Sequence, residues 1–299
     1  MDGVDRRDLT DDFGAVTEPF RRELLAHCYR MLGSVDDAED AVQETYLRAW
    51  RASDRFEGRS SVRVWLYRIA TNVCLSARGR RFLPSTYGPP DAAPAPDVAW
   101  LQPMPDDPAD VATTRESVRL AFVASLQFLP GRQRAALLLR EVLDWSAREV
   151  ADALDTTVPA VKSLLQRARA QLQDKAPDAS EPTGPEAREV LDRYVEAFET
   201  ADVAALEKLL RDDATLEVPP SSTWFRGKAG CVRVLADAAG APGDWRMVPV
   251  SANGQPAAVA YHRGEPFGVA VLSVVQGELA GIVAFADPGL VPRFTSRRP

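Results

Sequence analysis

Eight of the residues between 84 and 110 are proline. Proline removes a backbone donor and fixes φ, so neither a helix interior nor a central strand crosses such a stretch. The segment 84–110 therefore reads as a linker, with one all-helical unit before it at 13–83 and a second after it at 111–176. A shorter linker at 177–185, bearing Pro177, Pro182 and Pro185, leads into a C-terminal domain at 186–296. Two or three domains are expected for 299 residues. The long linker holds one apolar island, Trp100-Leu101-Gln102-Pro103-Met104-Pro105. Apolar side chains of this size are wasteful in water, so Trp100, Leu101 and Met104 are expected to make an interdomain contact.

Helical periodicity fills both flanking units. Phe20, Leu24, His27, Cys28 and Met31 share one face, and Gly33 ends that helix. Ser34 with Asp37 starts the next as a variant capping box. Its predicted apolar stripe is Ala41, Val42, Thr45, Tyr46, Ala49 and Trp50. A third helix begins near Ser61 and buries Val62, Trp65, Leu66, Ile69, Ala70, Val73 and Cys74. Beyond the linker, Val118 to Leu129 form a stripe that Pro130-Gly131 breaks. From residue 186 the pattern changes. Helices at 187–199 and 203–210 precede strand-like runs at 215–218, 247–250, 257–262, 269–275 and 279–285. This predicts an α+β domain, with helices on one face of a curved antiparallel sheet.

The net charge is −7, yet residues 55–81 carry seven arginines against one acid, Glu57. A negative balance argues against a general nucleic-acid coat protein, but a specific reader depends on local charge. No apolar run approaches the roughly 20 residues that span a bilayer. The start of the chain, MDGVDRRDLTDDF, lacks the apolar core of a signal peptide. Three scattered cysteines argue for a reducing cytoplasm, and the two histidines, His27 and His262, are too few for a conventional zinc site. The expectation is a cytoplasmic protein with no membrane span, no metal and no cofactor.

Two segments look built for nucleic acid. Ser146 and Glu149 form a capping box, residues 155–157 a polar turn, and Thr157 an N-cap with Pro159 in the first turn after it. The second helix of this helix–turn–helix shows Lys162, Ser163, Gln166, Arg167 and Arg169 on the face opposite Val161, Leu165 and Ala168. Donors near the N-terminal half suit base edges in a major groove, and flanking cations suit phosphates. The plainer alternative is an amphipathic hairpin with a solvated basic face. In the other segment, Phe56 and a loop with Arg59, Ser60 and Ser61 precede a helix with Arg63, Trp65, Tyr67, Arg68 and Asn72. Arg78, Arg80 and Arg81 follow at its end, where cations also favour the helix dipole. A π face, donors and phosphate clamps suit an unstacked base. Trp65 also reads as core, Tyr67 as either core edge or surface, and the arginine run as a solvated end. Asp36, Asp40, Gln43 and Glu44 recur on one helix face, either as a wet surface or as a dock for a basic partner.

Two long motifs carry a family resemblance. DDAEDAVQETYLRAWRASDRFEGRSSVRVWLYRIATNVCLSARGRR resembles region 2 of bacterial sigma-70-family factors of the extracytoplasmic-function group. FLPGRQRAALLLREVLDWSAREVADALDTTVPAVKSLLQRARAQL resembles region 4 of the same group. The C-terminal domain is similar to the SnoaL-like domains of the nuclear-transport-factor-2-like superfamily, cone-shaped α+β barrels with a central pocket. The island WLQPMPD resembles a tryptophan–proline signature found where such a domain is fused behind region 4.

The resemblance implies a monomeric initiation factor with no catalytic residues. Asp36, Asp40, Gln43 and Glu44 would dock on the clamp helices of the largest subunit of core RNA polymerase. The region from Phe56 to Asn72, with Arg78, Arg80 and Arg81, would open the −10 element and hold a flipped base. Ser146, Thr157, Lys162, Ser163, Gln166, Arg167 and Arg169 would read the −35 element. The long linker would thread the RNA-exit path. The C-terminal domain would act as a built-in regulator, in place of a separate anti-sigma protein, with a ligand pocket at Trp224, Phe225, His262 and Phe267. Two alternatives stay open. One is a one-component regulator that binds promoter duplex without polymerase. The other is a cyclase or isomerase activity of the SnoaL-like domain, with His262, Glu217 or Asp287 as acid–base.

Overall fold

The computed structural model describes residues 12–58, 60–77, 101–106, 119–172, 185–219 and 223–295. Arg59, Arg78, Arg80, Arg81 and Trp100 lie outside the described residues. The chain divides into two compact units, one of residues 1–84 with 121–176 and the other of 85–120 with 177–299.

The first unit is helical. It begins with α1 (Phe13–Thr17), α2 (Arg21–Leu32), α3 (Val35–Ala52) and α4 (Val62–Ser76). Side-chain caps start three of these: Asp12 accepts from the Ala15 amide, Ser34 from Asp37 and Ser61 from Val64. Gly33 stops α2 in the left-handed conformation, its amide returning to the Tyr29 carbonyl. Helices α2, α3 and α4 pack pairwise around Leu24, Cys28, Ala38, Val42, Leu66 and Ala70, all essentially buried. Trp50 departs from the expected stripe, for it is 62% exposed. Buried positions in α3 run through Ala38, Val42, Thr45 and Ala49. Trp50 stands about 100° round the helix from Ala49, so its apolar character does not bring it into phase.

The unit continues with α5 (Leu120–Gln127), α6 (Gly131–Leu137), a π-helical turn (Leu138–Val142), α7 (Ala147–Ala153) and α8 (Val158–Leu172). Helix α6 packs against α2 and α4 as well as α8, so the two helical segments form one body. Gly131 permits the approach, since a Cβ there would stand 3.2 Å from Leu75 Cδ2. Arg134 fastens it. Its guanidinium donates to the Met31 carbonyl at the end of α2, to the Gln127 side chain and to the Leu129 carbonyl. Burial holds its pKa down, to about 10. Gln127 adds a bond from Nε2 to the Arg30 carbonyl at 3.2 Å.

The second unit is α+β. Helices α9 (Pro185–Glu199), α10 (Val203–Leu209) and α11 (Lys228–Ala239) accompany a six-stranded sheet. Its strands are β1 (Leu210–Val218), β2 (Thr223–Arg226), β3 (Trp245–Ala252), β4 (Gln255–His262), β5 (Glu265–Val275) and β6 (Glu278–Phe285), in the order β2-β1-β6-β5-β4-β3. Strands β1 and β6 run parallel and the other pairs antiparallel, so the sheet is mixed rather than wholly antiparallel. The β3–β4 hairpin turns on Asn253-Gly254, with φ of 57° and 69°. That double positive φ is the type I′ geometry that favours Asn-Gly. The β4–β5 and β5–β6 hairpins repeat it.

Alternate residues of the central strands point to two separate cores. Ala258, Ala260, Ala270, Leu272 and Ile282 face α9, α10 and α11. Ala257, Val259, Val269 and Val271 face the other way, against Leu290 and Val291 and the partly buried Leu101. Both faces are therefore covered, not one as the helix-then-strand order suggested. The second cover comes from α12 (Val291–Thr295), the turn before it and the linker island.

The island is held like a short extra strand. Pro105 bridges Ala252 in antiparallel register. The Met104 amide donates to Asn253 Oδ1 at 2.8 Å, and the Asn253 amide donates back to the Met104 carbonyl at 2.9 Å. Asp106 accepts from the Gly254 amide at 2.8 Å and from the Ser251 hydroxyl. Met104 is buried and Leu101 half-buried.

Candidate nucleic-acid interface

On α4, Arg68 and Asn72 stand one turn apart and both are exposed, as are Ser60 and Ser61 at its start. The Ser61 hydroxyl is engaged as the N-cap. Two aromatic residues expected on the DNA face are core instead. Tyr67 is 1% exposed. Its hydroxyl lies 3.2 Å from Glu23 Oε2, and its ring meets Trp145 edge-on at 6.2 Å. Burial, then the Glu23 charge, raises its pKa. Phe56 is 5% exposed, tilted on Trp65 with ring centroids 5.0 Å apart. Both lie on the inner side of the bundle, where apolar area is removed from water. Trp65 is half-buried and reaches the surface beside the 56–61 loop. Arg63 forms a two-pronged pair with Glu23, Nη2 to Oε2 at 2.8 Å, and lies over the Tyr67 ring at 5.0 Å. Glu23 raises the Arg63 pKa, so this cation is committed to the fold.

The helix–turn–helix forms as α7, a turn and α8. The Ser146–Glu149 capping box is closed in both directions, at 2.8 and 3.2 Å. Thr157 Oγ1 accepts from the Ala160 amide at 3.3 Å and so caps α8. Asp155 takes a positive φ in the turn. Val161, Leu165 and Ala168 are buried, which turns Lys162, Ser163, Gln166 and Arg167 to solvent as one polar face. Arg169 is exposed too, but pairs with Glu141.

On α3, Asp36, Asp40 and Gln43 form an exposed stripe. Glu44 flanks it and pairs with Arg48 at 2.6 Å. Leu47, 48% exposed, and Trp50 continue the same i, i+3, i+4 path. The result is an acidic and polar row ending in two bare apolar side chains. Large apolar groups left in water on a folded surface mark a contact site.

A cavity lies between the sheet and the helices of the second unit, and of the four residues expected to line a pocket, Phe267 is in its wall and Trp224, Phe225 and His262 are not. His262 packs on the Trp245 ring at 4.7 Å, outside the lining. Trp224 pairs with Glu217 across β1–β2, and Phe225 with Leu216. Cross-strand partners share a face, so Trp224 and Glu217 point away from the side that Leu216 shares with the helices. Asp287 is exposed and caps the following turn.

Comparison with known proteins identifies the domains. Family models match Sigma-70 region 2 at residues 17–81, Sigma-70 region 4 at 119–172 and a SnoaL-like domain at 191–288. The ECF RNA polymerase sigma factor SigG of Mycobacterium tuberculosis is 51% identical over 308 residues, covering 95% of this chain and 83% of SigG. The chain belongs to the extracytoplasmic-function sigma factors. SigJ of the same organism is 29% identical over 229 residues, 73% of this chain and 70% of SigJ. The crystal structure of SigJ matches with a TM-score of 0.65 at 24% identity, over 94% of this chain and 99% of that one, which shows a shared fold. This sigma factor is thus a transcription initiation factor with a SnoaL-like domain behind region 4.

Two surface residues of this sigma factor went unmarked in the sequence. Leu47 was not singled out and Trp50 was placed in the core. The readable signal was the spacing 36, 40, 43, 47, 50, which keeps one helical face throughout. Arg134 and Asn253 carried no such signal, because the Met31 partner of Arg134 lies 103 residues away and the Met104 partner of Asn253 lies 149 away.

Proposed function

We propose that the α3 row docks this sigma factor on the clamp helices of the largest polymerase subunit. Asp36, Asp40 and Gln43 supply the polar part, Glu44 flanks it, and Leu47 and Trp50 are the apolar anchors. The observation that carries this is the pair of exposed apolar residues in line with an acidic stripe. Interface energy concentrates in such aromatic anchors ringed by polar groups.

In the same proposal the α4 surface engages the −10 element. Ser60, Ser61, Arg68 and Asn72 offer donors to a strand opened there, and Trp65 offers the π face. Phe56 and Tyr67 set the position of Trp65 and Arg63 rather than touching DNA. On α8, Lys162, Ser163 and Gln166 face base edges of the −35 duplex, Arg167 and Arg169 face phosphates, and Ser146 and Thr157 orient the two helices through their caps. The polymerase carries out the chemistry.

The helical unit as it stands is closed, with Arg134 of α6 and Gln127 of α5 bonded to the end of α2. Two promoter elements on one duplex lie more than a helical turn, about 34 Å, apart. Engaging both therefore requires this contact to part. The SnoaL-like domain holds residues 101–106 of the connecting linker, which ties linker freedom to that domain. In this proposal the domain governs polymerase access and takes the place of a separate anti-sigma protein. The test is binding to core polymerase by anisotropy. Trp50→Ala and Asp40→Lys should each weaken binding at least about tenfold, since an anchor is worth about 2 kcal/mol. Unchanged affinity in both would remove α3 as the dock.

A further inference from the structure

Helix α8 carries an apolar ring at the centre of its outer face. At about 100° per residue, Pro159, Ser163 and Gln166 fall within about 60° of one another, opposite the buried Val161, Leu165 and Ala168. Lys162 and Arg169 border this row on one side and Arg167 on the other, all exposed. Ala170, the row's other apolar member, stands about three turns beyond Pro159. The N-terminal residues of a recognition helix are the ones that reach base edges, which singles out Pro159.

Pro159 is exposed, and the turn that carries it is fixed in place. Thr157 Oγ1 accepts from the Ala160 amide at 3.3 Å, and the Ser163 hydroxyl donates to the Pro159 carbonyl at 3.2 Å. The pyrrolidine is closed on its own backbone, so it has little freedom to lose on contact. Proline suits the first turn of any helix, which accounts for its fit to the backbone. The face its ring occupies is a separate matter, for there it offers a base neither a donor nor an acceptor. The apolar group that base edges present in the major groove is the 5-methyl of thymine.

We infer that the Pro159 ring packs on the 5-methyl group of a thymine in the −35 element and so selects thymine at that position. The inference rests on α8 reading the −35 duplex. Cytosine in that place would lose the methyl contact and set its amino donor against a ring that cannot accept.

The test uses the complex of this chain with bacterial core polymerase. Promoter duplexes are selected from a pool randomised through the −35 region, and each thymine recovered there is replaced singly by deoxyuridine, which removes the methyl alone. One replacement should weaken binding about fourfold, the effect of one buried methyl. Pro159→Ser keeps a small residue suited to a helix start, with thermal unfolding as its fold control. It should bind the thymine and uracil duplexes alike at that position. Its log–log salt slope should match wild type, because no phosphate contact is lost. Recovery of no −35 preference overturns the reading of α8, and this inference with it. A clear preference in which no replacement by deoxyuridine matters overturns the role of Pro159 and leaves the α8 reading standing. A methyl effect that survives Pro159→Ser does the same.

Discussion

His27 sits wholly buried in the helical unit, with Nε2 2.9 Å from the Thr71 hydroxyl. Thr71 gives its own proton to the Tyr67 carbonyl, so it accepts from His27, which fixes the proton on Nε2 and leaves Nδ1 unpaired. Burial, then the Arg30 charge, lowers the His27 pKa from 6.5 to about 3. The unfolded chain therefore takes up a proton near pH 6.5 that the folded chain refuses until about pH 3. Stability from this group is complete above the first value and declines as pH falls toward the second, by up to about 1.4 kcal/mol per pH unit. Denaturant unfolding between pH 7 and 5 should show wild type losing more stability than His27→Gln. Equal slopes would mean that His27 charges without cost. Gly268 shows a steric limit of the same scale. A Cβ there would come within 1.9 Å of the Phe285 carbonyl oxygen, which is backbone and cannot rotate away. Gly268→Ala should destabilise the sheet by about 1–3 kcal/mol, the usual range for overpacking, measured by thermal unfolding.

At the scale of elements, α8 divides its labour in a way that salt separates. Arg167→Ala should lower promoter affinity of the polymerase complex evenly across sequences and flatten the log–log salt slope by about 0.9, the loss of one phosphate contact. Gln166→Ala should leave the slope unchanged and relax the −35 preference, by about 1–3 kcal/mol at the base it reads. The helices themselves were legible in the sequence because caps and a 3.6-residue stripe mark them locally: Ser34, Gly33, Ser61 and the Ser146–Glu149 box all stand where expected. Errors came where residue type and helical phase disagree. Trp50 is apolar and reads onto the 3.6-residue stripe though it stands out of phase with Ala49, and Tyr67, open between core edge and surface by its amphipathic ring, is core. Strand β2 has four residues, and α11 is rich in Ala and Gly with few large apolar groups, so neither stood out. The cavity was misplaced for another reason. Which of Trp224 and Phe225 faces the helices depends on the β1–β2 register, and period-2 patterns do not reveal register between strands.

Across the whole molecule, the turn at Asn253 ties the linker island to the SnoaL-like domain. Asn253→Gly keeps the positive φ that the turn demands and deletes the acceptor of the Met104 amide. Hydrogen exchange at Met104 and Asp106 should then quicken, by about fivefold for a bond worth about 1 kcal/mol, while the β4 and β5 amides stay protected. Loss of protection throughout the sheet would instead make Asn253 a general structural residue. The central claim is that regions 2 and 4, joined by this linker, direct polymerase to promoters. The direct measurement is run-off transcription with bacterial core polymerase on pooled genomic fragments. It would compare the full chain, a chain ended at Pro182, and full chains carrying Trp50→Ala or Lys162→Ala with Arg167→Ala. Discrete transcripts from the full or shortened chain, weakened in both substituted forms, are predicted. The difference between full and shortened chains gives the sign of the C-terminal domain's effect. No transcripts from either, together with no co-migration with core polymerase, would contradict the account.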